Sequence, residues 1–153
     1  SVSGKYVLLQ GKNLFGSLKE AWVEIEQHIE RFKTADFFLL STPMWNFSIP
    51  YTLKHYIDLI VQPKYLFFYK PDGKAEGLVK GKTMIVITSR GGEYAGVGKQ
   101  FDYEEPYLKT LFEFIGFTDI RFISADGMDL GKEKREESLI KARDSAKTMG
   151  QNA

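Results

Sequence analysis

Hydrophobic positions along this chain switch repeatedly between a helical and a strand-like rhythm. Leu18, Trp22, Ile25, Ile29 and Phe32 recur at spacings of four and three with charges between them, the stripe of an amphipathic helix. Ala35 to Thr42 is then a short, continuously apolar run ending in hydroxyls, which predicts a strand buried on both faces of a parallel sheet. Pro43 stops it. Ser48 and Pro50 suit the start of a second helix, with Leu53, Tyr56, Ile57, Ile60 and Val61 on its apolar side.

Tyr65 to Val79 reads as a hairpin, with a dense aromatic run, a Pro71-Asp72-Gly73 turn and an apolar return. Thr83 to Thr88 is a second buried strand, followed at once by Ser89-Arg90-Gly91-Gly92. Residues 93 to 103 are Gly-rich and polar, a candidate mobile loop. Leu108, Leu111, Phe112 and Ile115 mark a third helix near Pro106, with Gly116 placed to end it. Phe117 to Ala125 is a third strand. Gly131 to Met149 closes the chain as a charged helix with Leu139, Ala142, Ala146 and Met149 as its apolar positions.

Three such alternations of helix and strand predict a doubly wound α/β fold, a parallel sheet in a three-layer α/β/α arrangement. At 153 residues the chain has room for one such domain, taken as 1–153. Ligands of these sheets sit at the carboxyl ends of strands, where two of the loops above lie.

Composition narrows the chemistry. A net charge of +1, from 21 basic and 20 acidic residues dispersed along the chain, offers no footprint for nucleic acid or an anionic membrane. There is no cysteine, which excludes disulfides, thiolate catalysis and cysteine-ligated metals and agrees with a reducing cytoplasm. No apolar run is long enough to span a bilayer, and no metal-ligating cluster stands out. The two histidines, His28 and His55, fall in expected helices and take no catalytic role.

The first loop, Thr42-Pro43-Met44-Trp45-Asn46-Phe47-Ser48-Ile49-Pro50, combines rigidifying prolines, large aromatics, a thioether and an amide. A flat heteroaromatic ligand needs apolar faces and a few fixed polar groups at its edge, and this loop supplies both; the same composition also serves to plug a core. In the second loop, Gly91 and Gly92 permit positive φ and close backbone approach to a ligand, or simply make a turn. Both loops leave carboxyl ends of strands that would be neighbours, which favours one crevice.

Ser41 to Pro50, Glu76 to Lys82, Ile87 to Gly92, and Pro106-Tyr107-Leu108 through Phe114 to Asp119, in this order and spacing, resemble the FMN-dependent NADH azoreductases and NAD(P)H quinone oxidoreductases of the flavodoxin-like fold. The resemblance covers nearly all of the chain after about residue 18. It implies a homodimer with tightly but non-covalently bound FMN, reduced by NADH or NADPH and reoxidised by quinones, azo dyes or nitroaromatics in a two-electron ping-pong cycle. Pro43, Met44, Trp45, Asn46 and Phe47 would hold the isoalloxazine, with Asn46 at its pyrimidine edge, and Ser89, Gly91 and Gly92 would meet its other polar atoms. The flavin performs the chemistry, so no side chain is assigned as catalytic. Phe67 resembles a residue that caps the partner subunit's site, simple packing being the alternative; Tyr94 stands near the substrate where the family often has histidine, and Trp45 where it more often has tyrosine.

Family members begin with a strand, a Ser-rich phosphate-cradling loop and a second strand, and nothing in residues 1 to 20 matches them. The chain is therefore expected to be the carboxyl-terminal two-thirds of such a domain. Two other readings stand beside the reductase: a one-electron flavodoxin carrier, which the +1 charge argues against because such carriers are usually strongly acidic, and a cofactor-free module, which flavin content would separate.

Overall fold

The computed structural model describes residues 2–20 and 22–151. Its elements are α1 (Val2–Leu9), α2 (Gly16–Glu20), α3 (Val23–Thr34), β1 (Phe37–Pro43), α4 (Tyr51–Ile60), β2 (Phe67–Tyr69), β3 (Ala75–Gly77), β4 (Thr83–Ser89), a 3-10 turn (Gly96–Phe101), α5 (Glu105–Ile115), β5 (Asp119–Ala125) and α6 (Lys132–Gln151). The sheet runs in the order β1-β4-β5, and β2 and β3 form a separate antiparallel pair. Its strands are parallel: Thr83 N–H at the start of β4 donates to Asp36 O before β1 (3.1 Å), and Met44 N–H after β1 donates to Ser89 O at the end of β4 (2.9 Å). The doubly wound α/β class expected from the alternation is the one observed.

The chain divides into two compact units. One takes in the described residues up to Phe38, with Tyr51–Thr83 and Thr110–Asp119. In it Trp22, Ile25, Ile29 and Phe32 are buried, as the helical stripe requires, while Leu18, the first residue of that stripe, is only half-buried and the helix is interrupted between α2 and α3. Phe32, Phe38 and Phe117 form an aromatic cluster with ring centroids 4.6 to 6.3 Å apart. Lys82 Nζ donates to Lys33 O (2.8 Å) and Ala35 O (2.5 Å), a cation on the open carbonyls of the C-terminus of α3, where the helix dipole favours it.

The hairpin is docked by backbone. A Cβ built on Gly77 would stand 2.3 Å from Gly116 N, and one on Gly116 would stand 2.7 Å from Val79 O. Gly116 also has φ 116°, and Gly116 N–H and Phe117 N–H both donate to Phe112 O, which ends α5 as expected.

The other unit comprises Leu39–Pro50, Met84–Lys109 and the described residues from Ile120 onward. Met84, Ile85 and Val86 are buried in succession, so β4 is covered on both faces as a central strand should be. The same expectation fails for β1, where exposure alternates and Phe37 and Leu39 are 51% and 65% exposed. Among the described residues β1 lies at the edge of the sheet and one of its faces is bare. Along α6 only Ser138 is buried; Leu139, Ala142 and Met149 are half-covered and Ala146 is exposed.

Candidate functional site

The first loop leaves β1 and turns back on itself at once. Trp45 N–H donates to Ser48 O (2.8 Å) and Ser48 N–H to Trp45 O (3.0 Å), closing a tight turn over Asn46 and Phe47. Both central residues have positive φ, 48° and 70°, as in the mirror-image turns of two-residue hairpins. Asparagine tolerates this region; phenylalanine does so at a cost of about 1–2 kcal/mol. The conformation therefore needs outside support, and strain of this kind concentrates at functional sites.

Support comes from residues 101–103. Tyr103 N–H donates to Phe47 O (2.9 Å), Ser48 Oγ donates to Tyr103 O (3.4 Å), and the Phe47 ring lies against Phe101 with centroids 5.6 Å apart. Ser48 thus braces the loop instead of capping α4, which starts just after Pro50. Trp45 and Phe47 remain 55% and 49% exposed, so the loop presents aromatic surface outward and does not plug the core.

The second loop departs from expectation. Neither Gly91 nor Gly92 has positive φ. The carbonyls of Arg90, Gly91 and Gly92 accept from Met128, Asp129 and Gly127, which pins the loop to the segment after β5. A Cβ on Gly91 would meet the Asp129 carboxylate at 2.4 Å. Gly91 therefore makes room for Asp129, and the N–H groups of Gly91 and Gly92 take part in none of these bonds. Residues 93 to 103, read from sequence as a candidate mobile loop, contain the 3-10 turn.

Arg90 lies at the centre of an ion cluster that sequence reasoning passed over. It is 5% exposed; its Nε donates to Asp126 (2.5 Å) and its Nη1 to Asp102 (2.9 Å), with Glu105 at 3.3 Å. Burial works against its charge, but Asp126, Glu105 and Asp102 more than offset that and hold the guanidinium above its ordinary pKa. Each carboxylate has a second task. Asp102 caps α5 by accepting from Glu104 N–H (3.0 Å) and Glu105 N–H (3.1 Å); Glu105 accepts from Thr88 (3.0 Å) and, at short range, Ser124; Asp126 accepts from Tyr94 N–H (3.1 Å). Arg90 also lies over the Tyr94 ring, 5.4 Å from its centroid.

Glu104 is the exception in this cluster. It is fully buried, neither carboxylate oxygen has a hydrogen-bond partner among the described residues, and its pKa is pushed up to about 8. Burial is the main cause; Arg90 opposes it, while Asp102, Glu105 and Asp126 add to it.

The residues singled out in the sequence thus divide. Pro43, Met44, Trp45, Asn46, Phe47, Ser89, Gly91, Gly92 and Tyr94 all fall in one unit, where the Met44 to Ser89 bond joins the two loops. Phe67 falls in the other; it is 4% exposed and packs on Phe114 (4.7 Å between centroids) and Tyr69 (5.7 Å). His28 and His55 are exposed on α3 and α4. A cavity of about 470 Å³ lined by Arg90, Glu93, Asp126, Lys134 and Lys141 carries charge and no exposed aromatic face, and it does not suit a flat ring as the two loops do.

Arg90 was in view within the second motif, but no local signal pairs it with carboxylates 12 to 36 residues away. No helix among the described residues is long and apolar enough to cross a membrane.

A family model described as "Flavodoxin-like fold" matches residues 8–149. An FMN-dependent NADH:quinone oxidoreductase of Desulfotalea psychrophila is 41% identical over 143 residues, spanning 93% of this chain and 68% of the relative. One of Nitratidesulfovibrio vulgaris is 40% identical over 150 residues, 94% of this chain and 71% of the relative. Among solved structures, an azoreductase from Bacillus anthracis superposes with a TM-score of 0.83 at 26% identity, covering 96% of this chain and 71% of the other. An FMN-dependent NADH-azoreductase from the same species, in complex with FMN, gives 0.79 at 27% identity, with 97% and 72% covered.

Proposed function

We propose, on the premise that this chain belongs to the flavodoxin-like fold family and within it to the FMN-dependent NADH:quinone oxidoreductases and azoreductases, that it is a flavin-dependent oxidoreductase. The observation that carries the proposal is the pair of strand-end loops joined by the Met44 to Ser89 bond. One presents exposed Trp45 and Phe47, and the other has two N–H groups outside its own bonding pattern. A flat, polar-edged ring fits that combination.

Bound FMN supplies hydride acceptance from NADH or NADPH and two-electron delivery to quinones, azo compounds or nitroaromatics, in alternating half-reactions. The chain's own residues orient and shield. Trp45 and Phe47 offer the stacking surface, Pro43 and Met44 set its approach from β1, and Asn46 at the tip of the turn offers an amide to the pyrimidine edge. Gly91 and Gly92 would contribute backbone donors to the ring's other polar atoms, and Ser89 lies beside them. Tyr94, held by Arg90 and Asp126, borders the acceptor's space. In the proposed homodimer the hairpin carrying Phe67 meets the partner, and a reducing cytoplasm is the compartment.

The visible spectrum tests this. Anaerobic protein reconstituted with FMN should show flavin bands that bleach on adding NADH and return on adding a benzoquinone. Protein that stays colourless after reconstitution would overturn the proposal.

A further inference from the structure

The flavin-bearing loop holds a phenylalanine at φ 70°, and nothing within the loop itself stabilises that choice beyond the reciprocal Trp45 and Ser48 bonds. Further contacts on the turn come from the short segment 101–103, which precedes α5. That segment is fixed by Asp102, whose Oδ1 caps α5 and whose Oδ2 receives Arg90 Nη1. Arg90 in turn is the residue between Ser89 and Gly91 in the second loop. Bonds therefore run from the second loop through Arg90 and Asp102 to Tyr103 N–H, and from there to Phe47 O.

We infer that Arg90 is a positioning residue for flavin binding: its buried guanidinium, bonded to Asp102 and Asp126, fixes segment 101–103 and thereby holds the left-handed Asn46–Phe47 turn of the first loop in register with the second. The inference rests on the flavin reading above for its ligand, and on the hydrogen-bond geometry for its mechanics. Arginine suits the task because its planar fork meets two carboxylates at fixed angles, which a lysine ammonium cannot do. Arg90 and Asp102 are only 5% and 9% exposed, so removing either leaves a largely buried charge without this partner and the segment they hold loses its anchor.

The test compares the wild-type chain with Arg90→Met, Arg90→Lys and Asp102→Asn, reading amide hydrogen exchange without flavin and FMN affinity by quenching of flavin fluorescence. Arg90→Met should speed exchange at Trp45, Ser48 and Tyr103 at least about tenfold, leave Ile29 and Ile57 in α3 and α4 at wild-type rates, and weaken FMN binding about tenfold or more. Arg90→Lys should recover only part of the loss. Asp102→Asn keeps a capping oxygen for α5 but loses the charge facing Arg90, and should move the same amides in the same direction by a smaller factor.

Wild-type exchange at Trp45, Ser48 and Tyr103 in Asp102→Asn would overturn the inference. If Arg90→Met instead unfolds, so that Ile29 and Ile57 also exchange fast, Asp102→Asn alone decides. Faster loop exchange with unchanged FMN affinity would also overturn the inference while leaving the flavin reading intact, whereas no FMN binding by the wild-type chain would strike the flavin reading, so the two failures are distinguishable.

Discussion

Replacing Glu104 with glutamine should abolish a fall in stability that the wild-type chain suffers as pH rises toward 8. Glu104 is fully buried with no hydrogen-bond partner for either oxygen among the described residues, and its carboxyl releases a proton only at about 8 in the folded state against an ordinary 4.5. Between those two values the folded chain keeps the proton while the unfolded chain has lost it. The folded state therefore binds more protons, and stability falls with rising pH.

Each pH unit in that window is worth about 1.4 kcal/mol, so crossing it amounts to several kcal/mol, a large share of a typical domain's margin. Glutamine leaves a buried, unpartnered polar group of the same size, so at pH 5 the variant should lie within about 1–2 kcal/mol of wild type. By pH 8 it should be the more stable of the two by several kcal/mol. Urea denaturation followed by tryptophan fluorescence, at half-unit steps from pH 5 to 8.5, gives the difference curve directly, and contributions of titrating groups that do not interact with Glu104 cancel in it. Parallel curves for the two proteins would refute the reasoning, since they would mean that Glu104 ionises in the folded chain as easily as in the unfolded one.

Trp45→Ala should change stability by less than about 0.5 kcal/mol, because the side chain is 55% exposed, while weakening FMN binding and shifting the bound flavin's absorption; an unchanged spectrum and affinity would remove Trp45 from the site. Gly77→Ala should destabilise by about 3 kcal/mol or more in the same denaturation assay, since its Cβ would stand 2.3 Å from backbone atoms of Ile115 and Gly116. Lys82→Met should cost about 1–2 kcal/mol by uncovering the carbonyls at the C-terminus of α3, and a midpoint equal to wild type would show that water replaces the ammonium without penalty.

The elements with strong periodicity were legible from sequence. The stripe from Trp22 to Phe32, the run Thr83 to Thr88, the helix ending at Gly116 and the Pro71-Asp72-Gly73 hairpin all form where spacing and turn chemistry place them. What failed depended on neighbours. The run from Ala35 to Thr42 reads the same in a central or an edge strand, so the exposure of Phe37 and Leu39 could not be foreseen. In the candidate site, Asn46 carried a local signal for left-handed backbone and Phe47 carried none; the bonds that hold Phe47 there come from Tyr103, 56 positions away. Gly91 and Gly92 suggested positive φ, yet the first spares space for Asp129 and neither adopts it. The Arg90 cluster was invisible because its carboxylates come from two distant segments, Asp102 with Glu105 and Asp126, and ordinary surface acids look the same in sequence.

Most elements of a protein meet through side chains, whose rotamers absorb small misfits. The β2–β3 hairpin meets Ile115 and Gly116 through main-chain atoms at Gly77, a joint with the tolerance of covalent geometry and no cushioning layer. Its far end differs: Gly73, at the tip, has nothing within 4 Å of where a Cβ would lie. For an engineer the hairpin is thus a lever with a rigid fulcrum and an unconstrained handle. Inserted residues or reporter groups belong at the tip, where length can vary without the strain reaching the base.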